Sequence, residues 1–123
     1  MIQSKGLKAD IYIPGYCMPL LESLAAQRWD AIRLDDLCHG REQDIAEARR
    51  VLGPEQCLFG NMSAHALLRG DWADIEARAL YQYETGGNGK AFIISNGSGI
   101  CDATDPTIID RWLGYARSIH CSH

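Results

Sequence analysis

A fourfold alternation restricts the fold of this chain more than any other feature. Short apolar runs, each ended by a loop rich in Gly, Pro or polar residues, take turns with amphipathic stretches. The runs are Ala9–Ile13, Ala31–Leu34, Gln56–Phe59 and Ala91–Ser95. Their length and their β-branched and aromatic content suit strands. Between them the apolar spacing changes to that of a helix face. Pro19–Gln27 places Leu20, Leu21, Leu24 and Ala25 on one side, and Arg41–Leu52 places Ile45, Ala48 and Leu52. Trp72–Thr85 does the same with Trp72, Ile75, Ala79, Leu80 and Tyr83. Pro106–Ile119 lines up Ile108, Ile109, Trp112, Leu113, Ala116 and Ile119. Ser63 caps a short turn, Ala64–Arg69, and Asp71 and Asp105 cap the two longer helices. Pro106 sits at a first helical position, and Gly53, Gly70 and Gly86–Gly89 stop the helices.

Four strands alternating with four helices imply right-handed crossovers and a parallel sheet. Two closures fit. One is an open, flavodoxin-like sheet. The other is a (βα)4 half of an eight-stranded barrel, a fold that takes about 250 residues when whole; this chain has 123. With no linker or low-complexity segment, residues 1–123 read as a single domain.

The formal charge is −4 and no basic stripe occurs, which argues against a nucleic-acid partner. No apolar run approaches the roughly 20 residues that cross a bilayer. The first residues lack the apolar core of a signal peptide, so the expected location is cytoplasmic. The five cysteines form no Cys-x-x-Cys pair and read as free thiols in a reducing compartment.

Four segments in order carry a resemblance. Gly60-Asn61, a short helix and Gly70 are followed by Gly97-Ser98-Gly99-Ile100 and Thr104-Asp105-Pro106. WDAIRLDD (Trp29–Asp36) and IYIPGYCMPLLESLA precede them. Together these resemble the C-terminal half of the barrel of the uroporphyrinogen decarboxylase superfamily, which includes coenzyme M and corrinoid methyltransferases. The resemblance implies strands five to eight of that barrel. It also implies a zinc site in the methyltransferase branch, with ligands at positions occupied here by Tyr12, Pro14 and Ser98. None of these is a soft ligand, so zinc-thiolate chemistry is not expected. The decarboxylase branch binds its acidic tetrapyrrole with N-terminal strands that have no match here, and Ser98 stands where many of its members have His. The expectation is a decarboxylase-like half-barrel without the family's chemistry and without a cofactor, acting as a relic or self-assembling scaffold. The alternatives are a dimeric barrel that binds a small anionic ligand, and a subunit that complements a separate N-terminal half.

Candidate ligand-binding residues lie at the strand C-terminal ends: Arg33, Asp35, Asp36, His39, Asn61, His65, Asn96 and Ser98. Tyr16, Cys17, Cys38, Cys101 and Asp102 share that face, whereas Cys57 reads as a core residue. Alternation sends Ile32 and Leu34 towards the helices and Arg33 and Asp35 into the barrel. Arg33 then needs an anionic partner, either Asp35 or a group from another subunit, or it serves an anionic ligand. His120, Cys121 and His123 belong to a tail with no metal role expected. The unpaired edges Ala9–Ile13 and Ala91–Ser95 predict a homodimer in which each first strand pairs with the other copy's fourth.

Overall fold

A computed structural model describes residues 3–122, with side chains described up to Ile119; His123, and the side chains of His120 and Cys121, lie outside the described residues. The elements are β1 (Asp10–Ile13), α1 (Leu21–Ala25), β2 (Ala31–Leu34), β3 (Leu37–Cys38), β4 (Arg41–Glu42), α2 (Ile45–Leu52), β5 (Cys57–Phe59), α3 (Ala64–Arg69), α4 (Trp72–Gly86), β6 (Phe92–Ile93) and α5 (Pro106–Ser122). The main sheet is parallel throughout, in the order β1-β2-β5-β6. Chain order and spatial order coincide, as in a half barrel of the TIM type, and the flavodoxin-like order does not occur.

The helices pack on one face of the sheet. Ile32, Leu34 and Leu58 are buried there against α1 and α2, with Leu21, Leu24, Ile45, Ala48 and Leu52 closing the cluster. A second cluster joins α3, α4 and α5 through Met62, Leu67, Ile75, Ala79, Tyr83, Trp112 and Ile119. The predicted caps are in place: Ser63, Asp71 and Asp105 accept from the N–H groups of Ala66, Ala73 and Thr107 at 3.3, 3.2 and 2.9 Å. Gly70 adopts the left-handed conformation at the end of α3. Arg49 ties the lower end of the fold together. Its guanidinium donates to the carbonyls of Gly86, Gly53, Gln56 and Ala91 at 2.6 to 2.8 Å.

Four expectations need correction. Helix α2 starts at Ile45, not Arg41, because Arg41–Glu42 pairs with Leu37–Cys38 in a small antiparallel hairpin. His39 and Gly40 both have positive φ, 49° and 74°, at its two-residue turn, so His-Gly serves where Asn-Gly is the usual signal. The last strand spans only Phe92–Ile93, although Met62 and Asn96 extend the pairing by one bridge. Leu20 and Leu113, expected inside, are exposed: the first turn before α1 is a 3-10 helix that rotates Leu20 outward, and Leu113 lines an open recess between α5 and Phe92–Ile94. Cys57 is half-buried and faces away from the helices, since Leu58 takes the inward position of that strand.

Candidate functional site

The face of the sheet that bears no helices is the inside of the half-barrel, and it is open. Asp10, Tyr12, Arg33, Phe59 and the loop Ser95–Gly99 line a recess of about 430 Å³ at its upper end. Below it, Lys8, Asp10, Asp30, Ala31, Phe59 and Ile93 line a second recess of about 470 Å³.

Arg33 dominates the upper recess. Its guanidinium carbon lies 3.8 Å above the centre of the Phe59 ring, from the neighbouring strand. Its Nε donates to Asp10 Oδ2 at 2.7 Å, across the β1–β2 register. The expected partner, Asp35, is engaged elsewhere. Asp35 accepts from the Tyr12 hydroxyl and from the N–H of Gly15, the latter at 2.8 Å, and so anchors the loop after β1. The hydrogen bond to Asp35 and partial burial push the Tyr12 phenol up to about 12.

Neutral amides fasten the rim. Gln43 Oε1 accepts from Cys17 N at 2.8 Å, while its Nε2 donates to the carbonyls of Gly15 and Asp35 at 2.9 and 3.1 Å. Asn61 Nδ2 donates to the carbonyls of Asp35 and Gln43 at 2.9 and 2.7 Å, and Gln82 Oε1 accepts from Asn61 N at 3.2 Å. Amides supply donors and acceptors without the desolvation cost of a charge, which suits a buried tie between loops. The Gly-rich loop after β6 lies directly against this rim. A Cβ on Gly97 would stand 2.5 Å from the backbone nitrogen of Asp36, so only glycine fits there. Gly99, by contrast, faces open space.

The candidate residues therefore separate into groups. Arg33, Asn96 and Ser98 line the concave recess, and Asp35 braces its rim. Asn96 donates to the Ser98 carbonyl at 2.6 Å and shapes its own loop. Asp36, Asn61 and His65 line a different recess, behind the sheet. His39 is exposed at the hairpin tip and joins neither. Sequence reasoning missed Asp10, Tyr12 as a hydrogen-bond donor, Phe59, Gln43 and Gln82. Strand alternation marked Asp10, Tyr12 and Phe59 as inward; nothing local marked the glutamines.

At the positions where the sequence resemblance implies a zinc site stand a phenol, a proline ring and a hydroxyl, from Tyr12, Pro14 and Ser98. The phenol is already donating to Asp35 and proline offers no ligand, so these residues do not fit zinc. Among the described residues no three His, Cys, Asp or Glu side chains are grouped to hold a metal ion. No described helix is long and apolar enough to cross a membrane.

Comparison with known proteins adds three findings. The family model for uroporphyrinogen decarboxylase matches residues 3–119. The uroporphyrinogen decarboxylase of Tolumonas auensis is 32% identical over 106 residues, which cover 83% of this chain and 28% of that protein. A methyltransferase from Methanosarcina mazei matches in structure with a TM-score of 0.77 at 20% identity, over 97% of this chain and 33% of that one. The chain thus spans a third or less of the length of either relative.

Proposed function

We propose that the concave face of this chain, which belongs to the uroporphyrinogen decarboxylase family, binds a small anionic ligand through Arg33. The observation that carries this reading is the way Arg33 is held. Phe59 beneath and Asp10 beside it lock the guanidinium flat, with one edge committed and the rest turned to an open recess. A guanidinium pre-positioned in this way loses little entropy on meeting a carboxylate or phosphate. Asn96 and Ser98 add polar groups from the adjacent loop. Tyr12, Pro14 and Ser98 offer no soft ligand for zinc-thiolate chemistry, and the role proposed for this face is binding.

The chamber closes when further strands cover the two sheet edges. We propose that a second copy supplies them, β1 of each pairing with β6 of the other to make eight strands. A separate N-terminal half that completes the barrel is the competing reading.

Titration with citrate and inorganic phosphate, followed by calorimetry, tests the first proposal. Arg33→Met keeps the aliphatic stem over Phe59 and removes the charge. It should weaken binding by about tenfold or more, the size of a lost charge-assisted bond. Equal binding by the variant overturns the assignment to Arg33. Absence of any binding returns the scaffold reading. Sedimentation equilibrium tests the second: the mass of two chains supports it, and a monomer with intact secondary structure counts against it.

A further inference from the structure

The chain has three asparagines, and glycine follows two of them, Asn88 and Asn96. An Asn-Gly pair can react with itself. The backbone nitrogen of the glycine attacks the side-chain carbonyl carbon of the asparagine, and glycine has no Cβ to crowd the approach. The two pairs carry the same local chemistry, so a difference between them comes from the fold.

Asn96–Gly97 is fastened at both reacting groups. The N–H of Gly97, which must give up its proton, donates to the Met62 carbonyl at 3.0 Å. The Asn96 side-chain amide donates to the Ser98 carbonyl at 2.6 Å. Gly97 is buried, and the loop there is pressed so closely on the rim that its Cβ position lies 2.5 Å from the Asp36 nitrogen.

Asn88–Gly89 is held differently. Asn88 is exposed, and the pair forms the centre of a tight turn after α4. Both residues have positive φ, 54° and 81°, and the N–H of Lys90 closes the turn on the Gly87 carbonyl at 3.0 Å. This is the type I′ pattern that Asn-Gly favours. It leaves the middle amide unused: among the described residues neither the Gly89 N–H nor the Asn88 side chain has a hydrogen-bond partner.

We propose that the folded chain deamidates at Asn88 and is protected at Asn96. The Gly89 nitrogen bonds to Cγ of Asn88, the Cγ–Nδ2 bond breaks, and the amide leaves as ammonia with the proton from Gly89. Solvent water then opens the cyclic imide at either carbonyl, giving aspartate or isoaspartate; no oxidant or reductant takes part. The carboxylate gained at position 88 falls beside Gly87, whose Cβ position is 3.6 Å from Arg49 Nη2. A carboxylate gained at position 96 would instead stand in the recess of Arg33. The fold thus shields the asparagine whose neutrality an anionic ligand requires, although the reaction at Asn88 does not rest on that ligand.

The test is incubation of the full chain in mildly alkaline buffer, native and in guanidinium chloride, with peptide mapping that resolves aspartate and isoaspartate at each position. In the native chain Asn88 should convert at least about tenfold faster than Asn96, because the protected pair must first give up two hydrogen bonds at its reacting groups. In denaturant the two rates should converge, since the flanking chain then imposes no fixed geometry. Equal rates in the native chain, or conversion at Asn88 only after unfolding, overturns the proposal. Retention of both amides in denaturant overturns it as well, because the pairs would then lack the chemistry assigned to them.

Discussion

The two faces of one sheet obey different rules. On the helix side Ile32, Leu34 and Leu58 are at most 1% exposed and belong to one buried apolar cluster. On the other side, one residue along in the same strands, stand Arg33 and Phe59, with Tyr12 at 47% and Ile93 at 44% exposure. The covered face holds the chain together. The bare face mixes an ion pair, aromatic rings and an exposed isoleucine, a composition that a solvent-facing surface does not need. The difference teaches that stability and binding are assigned here by residue parity within each strand.

Substitutions on the two faces should have unequal effects. Leu58→Ala removes a fully buried side chain at the centre of the covered face and should cost about 2–5 kcal/mol in denaturant unfolding. A loss below about 1 kcal/mol would mean that the helix face is loosely packed. Gly97→Ala attacks the junction of the two faces, where the new Cβ meets the Asp36 backbone. It should cost about 1–3 kcal/mol, with amide shifts concentrated at Asp35–Asp36 and Asn61. Arg33→Met, on the bare face, should change stability by less than about 1 kcal/mol, because its ion pair is half-exposed. A loss as large as that of Leu58→Ala would erase the distinction between the faces.

The smallest effect concerns pH. The Tyr12 phenol is raised from 10 to about 12 because its neutral form donates to Asp35. A folded-state value above the unfolded one means that the contribution is fully present below pH 10 and is lost as pH rises through 12. Absorbance titration of tyrosinate should show a late step near pH 12 that Tyr12→Phe abolishes and Asp35→Asn moves down.

Much of this arrangement was legible in the residues. Alternation and caps are local, so the four main strands, the caps at Ser63, Asp71 and Asp105 and the inward direction of Arg33 could be read directly, whereas strand order, which is not local, left two closures open, and the hairpin at Leu37–Glu42 hid the true start of α2. The partner of Arg33 could not. Asp10 and Asp35 both lie near in sequence pattern, and only the β1–β2 register, which sets Tyr12 opposite Arg33, makes Asp10 the neighbour and leaves Asp35 to the loop at Gly15. The division of the candidate residues was hidden for a similar reason. Asp35 and Asp36 are adjacent in the chain, yet their side chains serve opposite sides of the sheet. Gln43 and Gln82 gave no signal at all, because a glutamine looks the same whether it is solvated or buried as a tie between loops.

Arg49 carries a consequence for how the molecule comes apart. Its four acceptors belong to the end of α2, the approach to β5, the end of α4 and the approach to β6, and so to segments that flank both apolar clusters. One side chain should therefore couple the unfolding of the two clusters: neither the end of α2 nor the end of α4 can open without stripping acceptors from the same positive charge.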